Sequence, residues 1–314
     1  MSPKSSVHSS GEPVGRTRVL TFRSTERGRL RPVEWSSPSP ALLWWVAAEL
    51  RVPGVRWSRR LMGGTHALTD VLRTAHGEVV VRRFGSGDDA VVRERKVLDV
   101  VAGLSGLAPR LLAADPDGSQ TGSPSIVTTL VPGVATLFPA DPLDAAGQLG
   151  RALARVHAHP YPGTLPDLLT PPRPTPGTAD ALRSGWAQAQ ATPRVLSHRD
   201  FWTGNTLWVN EQLSGIVDWS GAGHGPRGHD LSWCRLDLVL LHGREVADAL
   251  VTAYEHHAGV GVHDLPWWDQ YAAANAADQI EDWAPNYQDL GRHDLDGPTL
   301  RARLNAWLAE LTDT

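Results

Sequence analysis

The sequence predicts an α+β chain in which a strand-rich stretch precedes a mostly helical one. Three observations carry this. Between Val55 and Phe84, apolar runs of strand length alternate with glycine-bearing turns. From Arg244 onward, apolar residues recur at helical spacing. Between these regions, Thr206–Val209 and residues 213–217 are two short β-prone runs around Asn210-Glu-Gln212, the pattern of a hairpin. At 314 residues and 41% hydrophobic, the chain can bury one sizeable core or build two lobes of ordinary size.

Taken in order, residues 1–38 are rich in Ser, Pro, Gly and Arg and read as a disordered extension, with one extended piece at 17–22. Ser39-Pro40 starts a helix, a hydroxyl cap followed by proline at the first position, which runs to about Leu50. Strands follow at 57–62, 67–73 and 78–84. Gly63-Gly64-Thr65 lies between the first two, where the absence of Cβ atoms lets backbone N–H groups approach a phosphate. A helix over about 89–104 carries Val92, Leu98 and Val101 at core spacing. Residues 109–118 read as strand and turn, and 125–133 as a last strand running into a connector.

The helix at 144–157 has Leu149, Leu153 and Val156 on one face. Its His157 suits a helix-end histidine facing terminal carbonyls. Eight prolines mark 160–193 as loop-rich, with one short helix near 179–189. The remainder reads as helices at 244–257, from Asp264 toward Trp283, and at 298–312.

The chemistry is concentrated in residues 196–219, LSHRDFWTGNTLWVNEQLSGIVDW. His198-Arg199-Asp200 is followed five residues later by Asn205, and the hairpin then returns to Asp218. Folding back brings Asp218 beside Asn205, so that an oxygen from each can hold a divalent ion. Asp200 is left with a free carboxylate one loop away. Phosphoryl transfer needs such a set: hard oxygen ligands for magnesium and a carboxylate that orients and deprotonates a hydroxyl.

This arrangement resembles the catalytic loop and metal-binding aspartate of protein kinases. It is more similar to their small-molecule relatives, the aminoglycoside phosphotransferase family, in the Gly204-Asn205 step, in Trp219 after the aspartate and in the downstream Asp230-Leu231. The resemblance implies a bilobal protein-kinase-like fold: an antiparallel five-stranded nucleotide lobe at 39–130 and a mostly helical catalytic and acceptor lobe at 131–314. It implies ATP, or GTP, and Mg²⁺ as cofactors. Asp200 is the implied catalytic base, and Asn205 and Asp218 the metal ligands. Nucleotide contacts fall on Gly63, Gly64 and Thr65, on Arg82 paired with Glu94, and on the connector at Thr128 and Thr129. The family usually places lysine where Arg82 stands; arginine stays charged and can fork to phosphate and carboxylate together. Strand alternation sends Arg82 and Arg83 to opposite faces, so one of them reaches the cleft, and Arg82 is assigned. Asp230 takes a structural duty beneath the catalytic loop. Asp269, Asp278, Glu281, Asp282 and Asp289 lie where the family builds its acceptor groove.

The implied partner is a hydroxyl-bearing small molecule, either an antibiotic or a metabolite of the choline or homoserine type. Charge bears on this choice. Residues 1–110 hold 18 Lys+Arg against 10 Asp+Glu, whereas 230–314 hold 5 against 15, a field that favours a cationic acceptor. Only about eleven residues separate Asp218 from Asp230, too few for the activation loop of a protein kinase. The rival from another class is a nucleotide-binding scaffold without turnover, supported by the lysine-to-arginine exchange. A nucleic-acid partner is not expected, because the arginine-rich N-terminus lacks interleaved aromatics. A membrane partner is not expected either: the longest apolar run, at 41–48, is too short to span. One cysteine, Cys234, excludes an internal disulfide, and MSPKSSVHSSGEP has no apolar core of a secretory signal, so a cytoplasmic location is expected.

Overall fold

The computed structural model describes residues 37–61, 67–161, 163–175, 177–262 and 264–312. The readings on residues 1–36, including the extended piece at 17–22, and on Gly63, Gly64 and Thr65 lie outside the described residues. Helix α1 (Pro40–Glu49) starts where the sequence places it, with Ser39 Oγ accepting from Leu42 N at 3.2 Å. Strands β1 (Arg56–Leu61), β2 (Ala67–Thr74) and β3 (Gly77–Phe84) follow as an antiparallel meander. After helix α2 (Ala90–Val101), strands β4 (Leu111–Asp115) and β5 (Ser125–Thr129) complete a five-stranded antiparallel sheet of order β1-β2-β3-β5-β4. Helix α1 packs Leu42, Trp45 and Val46 onto Leu72, Val79, Val81 and Val127 on one face of the sheet. Helix α2 packs with Phe84 and Ile126 on the other.

The phase of α2 differs from the sequence reading. Val92 is 41% exposed, while Val91, Glu94, Val97, Leu98 and Val101 are buried. The core face therefore runs through Val91 rather than Val92, with Leu98 and Val101 buried as the sequence reading places them, and it carries Glu94 inward with the valines.

The rest of the chain is mostly helical. Helix α3 (Pro142–Ala158) is capped by Asp141, whose carboxylate accepts from Leu143 N and Asp144 N. Helix α4 (Ala179–Ala191) follows the proline-rich stretch. Strand β6 (Arg194–Ser197) pairs with β9 (Gly223–Pro226), and the predicted hairpin is β7 (Thr206–Val209) with β8 (Gln212–Ile216). Its turn is two residues, Asn210 and Glu211, both at positive φ (49° and 60°), which matches the twist of a two-residue hairpin. Helices α5 (Arg227–His242), α6 (Arg244–Ala258), α7 (Leu265–Ala276), α8 (Ala284–Asp289) and α9 (Gly297–Thr312) complete the lobe. The segment read as one helix from Asp264 to Trp283 instead stops at Ala276 and resumes as a 3₁₀ turn over Ile280–Trp283 before α8. No described helix is long and apolar enough to cross a membrane.

The two parts meet at the hairpin: α2 packs on the turn Trp219–Gly221, and Ile216 N donates to Leu107 O at 2.6 Å. Helices α3 and α6 are pressed together at Gly150, where an added Cβ would lie 2.4 Å from Leu250 O and 2.8 Å from Tyr254 N. Both obstacles are helix backbone and cannot swing away. Gly150→Ala is therefore expected to lower stability by about 1–3 kcal/mol, the usual cost of overpacking. A urea midpoint equal to wild type would show that α6 shifts without cost.

Candidate active site

The hairpin register explains how residues distant in sequence converge. Thr206 pairs with Ile216, and Val217 N donates to Asn205 O at 2.9 Å, which sets Asp218 beside Asn205. Asp218 and Arg199 are non-glycine residues in the left-handed region, at φ 62° and 71°. Such conformations persist only where surrounding contacts over-determine them, and they gather at functional sites. At Asp218 those contacts are evident: Arg82 Nη2 donates to Asp218 Oδ1 at 3.0 Å and Ser220 Oγ donates to the same oxygen at 2.9 Å.

Arg82 also binds Glu94 Oε1 through Nη1, so one guanidinium joins β3, α2 and the end of the hairpin. Arg83 points to the opposite face, where its Nη2 donates to buried Asp70 at 2.8 Å. Burial works against the Arg82 charge, but Glu94 and Asp218 hold its pKa above the usual arginine value. Burial, then the Asp218 charge, raises Glu94 against the pull of Arg82. Burial also pushes Asp218 upward, but Arg82 and the Ser220 hydrogen bond prevail and hold it below the ordinary carboxylate range.

Asp200 is exposed on the loop that follows β6, but its carboxylate is not free, contrary to the sequence expectation. Asn205 Nδ2 donates to Oδ2 at 3.0 Å, and Trp233 Nε1 donates to Oδ1 at 3.2 Å. Desolvation by the surrounding protein, with the Asp218 charge adding, raises its pKa. Each carboxylate oxygen keeps a second lone-pair site, so a hydroxyl can still be accepted.

The loop is held from below by α5. Asp230, fully buried, accepts from Ser197 Oγ (2.8 Å), His198 N (2.7 Å) and Arg199 N (2.7 Å). His157 corrects a sequence expectation: it does not face the terminal carbonyls of its own helix. It lies buried between the Tyr254 hydroxyl (2.7 Å) and Asp230 Oδ2 (3.3 Å). Burial would raise Asp230, but the His157 hydrogen bond and the nearby His229 ring hold it far below the usual carboxylate range.

Asp237, which the sequence reading did not single out, sits seven residues further along α5. Two helical turns return it to the same face. It accepts from Thr203 N (3.0 Å), Thr203 Oγ1 (2.8 Å) and the Tyr287 hydroxyl (2.8 Å). Burial pushes its pKa up to about 6, with the Asp200 charge acting in the same direction. The i, i+7 repeat of aspartate on the helix after the hairpin was the available signal.

Thr128 and Thr129 lie on β5 opposite Val80 and Val79, further along the ladder from Arg82. Thr129 donates its N–H to Arg110 O and accepts from Arg110 N through Oγ1, both at 2.9 Å. Two carboxylates expected at the acceptor groove are committed elsewhere. Asp269 is buried against Arg235 at 2.9 Å, and Glu281 is paired with Arg301. Asp278, Asp282 and Asp289 are exposed.

The model of the phosphotransferase enzyme family matches residues 58–273, more than half of the chain. The chain belongs to that family. A homoserine kinase of Methylobacterium radiotolerans is 28% identical over 164 residues, 44% of this chain and 50% of the relative. The match thus spans half the length of that kinase. Among solved structures, a Ralstonia eutropha JMP134 protein provisionally named an aminoglycoside phosphotransferase superposes with a TM-score of 0.61. It has 15% identity, covering 87% of this chain and 96% of the other. A thermostable variant of aminoglycoside phosphotransferase APH(4)-Ia, solved with ADP and hygromycin B, gives 0.56 at 15% identity, over 86% and 98%. At such identities the likeness speaks for the fold. This phosphotransferase-family chain has the bilobal protein-kinase-like α+β fold, with the five-stranded antiparallel sheet preceding the helices.

Proposed function

We propose that this chain transfers the γ-phosphoryl group of ATP, or of GTP, to a hydroxyl of a small molecule, as an aminoglycoside-phosphotransferase-like kinase. The observation that carries this reading is the convergence of Asp200, Asn205 and Asp218 with the Arg82–Glu94 pair at the junction of sheet and helices. Asp200 orients the acceptor hydroxyl and takes its proton. The hydroxyl oxygen bonds to the γ-phosphorus as the bond to the bridging oxygen breaks, and the nucleoside diphosphate leaves. Arg82, fixed by Glu94, steadies the nucleotide phosphates. Gly63, Gly64 and Thr65, with the connector at Thr128 and Thr129, are assigned to the nucleotide. Residues 39–130 serve as the nucleotide lobe and 131–314 as the catalytic and acceptor lobe.

The donor set at the hairpin fits Mg²⁺. Asn205 directs its amide nitrogen to Asp200, which leaves Oδ1 as an oxygen ligand, and Asp218 accepts from Arg82 and Ser220 on Oδ1, leaving Oδ2. Hard oxygen ligands of this kind suit magnesium. When bound there, the ion supplies charge neutralisation at the transferring phosphate. Catalysis by the chain's own groups is then positioning plus electrostatic stabilisation, with no covalent enzyme intermediate.

The solved relative holding hygromycin B supports an aminoglycoside-type acceptor, and the acidic C-terminal part supports a cation. The homoserine kinase relative supports the second reading, an amino-alcohol metabolite. A cytoplasmic location fits both. The test is ADP release with Mg²⁺ and ATP across amine- and hydroxyl-bearing acceptors. Acceptor-stimulated turnover is expected in the wild type and is expected to be lost in Asp218→Ala. Nucleotide binding with no turnover on a broad panel, equal in wild type and variant, would move the chain to the scaffold class.

A further inference from the structure

A groove of about 400 Å³ runs between α3, the β7–β8 hairpin and the end of α6, and no residue assigned to the acceptor, the nucleotide or the metal lines it. Its wall on α3 is a single stripe, with Gln148, Arg151, Ala152 and Arg155 at three- and four-residue spacing. Leu213 of β8 and Leu107, from the loop after α2, add apolar surface. The walls are fixed before anything binds. Gln148 Nε2 donates to Asp144 Oδ2 (2.8 Å) and Glu211 O (2.9 Å), and its Oε1 accepts from Leu213 N (2.9 Å), which pins the hairpin to α3. Ile216 N donates to Leu107 O at 2.6 Å, so the same hairpin holds the loop after α2. Leu107 and Ala152 are buried and Leu213 is half-buried, which gives the groove an apolar floor.

Cations stand over that floor with most of their donors unspent. Arg155 pairs with no carboxylate among the described residues; its Nη2 donates to Ser105 O at 3.2 Å. Arg151 has Asp144 at 4.0 Å, a contact between two side chains that both face solvent. His257, on α6, donates from Nδ1 to Ala253 O at 2.8 Å, which leaves Nε2. A guanidinium carries five N–H donors in a planar fork, so Arg151 and Arg155 can each take an anion without giving up these contacts. Four residues apart on one helix, they rise from points about 6 Å from each other, so both can reach one headgroup.

We propose that this groove is a second ligand site, for a small soluble amphiphile with a phosphate headgroup on a short apolar body. Arg151 and Arg155 fork onto the phosphate oxygens, with His257 beside them, and the body lies on Leu107, Ala152 and Leu213. Arginine matches phosphate geometry in a bidentate manner, and such charge-assisted bonds are the strong ones. The groove volume falls among those of small-molecule sites, which are mostly apolar with a few convergent polar groups. A cationic ligand meets two like charges there, and a neutral one leaves the arginines unaddressed. The site goes beyond the phosphotransfer reading and does not depend on it. Its occupant touches the loop after α2 and, through Leu213, the strand that leads to Asp218 five residues later.

The experiment is calorimetric titration of the full-length chain, with ADP and Mg²⁺ present to fill the nucleotide cleft. The probes are n-octyl phosphate below its micelle concentration, n-octyl glucoside as a neutral body and inorganic phosphate as a bare headgroup. One equivalent of octyl phosphate is expected to bind, at least about tenfold more tightly than either control, since each control lacks one half of the complementarity. Arg151→Ala and Arg155→Ala are each expected to raise its Kd about tenfold, the worth of one hydrogen bond to a charged group. Arg155→Lys keeps a charge there and is expected to lose less than Arg155→Ala. Arg155 also holds Ser105 O, so urea midpoints accompany the titrations; if Arg155→Ala fails to fold, Arg151→Ala, with only exposed Asp144 beside it among the described residues, decides the matter. Octyl glucoside or inorganic phosphate binding as tightly as octyl phosphate overturns the proposal. So does the absence of binding, or a Kd that the folded arginine variants leave unchanged. Failure of the phosphotransfer reading is seen separately, as nucleotide turnover that Asp218→Ala leaves unchanged.

Discussion

Asp200→Asn is expected to lower kcat about a thousandfold, within the range that a positioned general base contributes, while the KM for ATP changes little. The asymmetry follows from the contacts. Asparagine is nearly isosteric and can still accept from Trp233 Nε1 on Oδ1. The group facing Asn205 Nδ2 becomes an amide donor, however, so the Asn205 bond is lost and no basic oxygen is left to receive the acceptor proton. The nucleotide is assigned to other groups, Arg82, Glu94 and Asp218, whose mutual bonds do not pass through Asp200. Steady-state kinetics at saturating acceptor, with ATP varied, separates the two parameters. A variant within tenfold of wild-type kcat would mean that Asp200 orients the hydroxyl without taking its proton. A large rise in the KM for ATP would instead indicate that the Asn205–Asp218 geometry had collapsed.

What the sequence made legible were the parts that local spacing determines. Asp200, Asn205 and Asp218 lie within one hairpin and its flanks, so chain connectivity alone brings them together, and the β7–β8 register does so. The orientation of Arg82 was likewise a consequence of strand alternation, since Arg83 on the next position must face the other way. Contacts between elements were another matter. Trp233 reaches Asp200 across 33 residues, Thr203 reaches Asp237 across 34, and His157 reaches Asp230 across 73, and no periodicity encodes such pairings. The phase of α2 was misread at Val92 because adjacent valines at 91 and 92 fit two overlapping helical stripes. Packing against Phe84 and Ile126 selects the one containing Val91. The acidic excess after residue 230 was plain in the sequence, but a charge count does not say which carboxylates are neutralised. Asp269 and Glu281 turn out to serve Arg235 and Arg301.

Asp230→Asn is expected to destabilise the chain by about 3–5 kcal/mol, the range for breaking a buried charged network by removing one partner. Asp230 satisfies two backbone N–H groups and a hydroxyl on the loop that carries Asp200, and an asparagine amide would turn donors toward donors at one of its two positions. A buried N–H left unpaired there costs its full desolvation. The pH dependence separates this from a packing effect. The folded-state pKa of Asp230 lies below its unfolded value, so its contribution is fully present above the ordinary carboxylate range and is lost as pH falls toward the folded value. Between pH 7 and 5 the stability gap between wild type and variant should therefore stay constant in urea titrations, and it should narrow only below about pH 4. A gap that widens as pH falls from 7 to 5 would instead show that His157 carries a stabilising charge opposite Asp230. Because His198 and Arg199 are anchored by the same carboxylate, the variant should also lose turnover at temperatures where it remains folded. In that respect α5 acts as the foundation of the loop that carries Asp200: Asp230 fixes its entry and Asp237 its exit at Thr203.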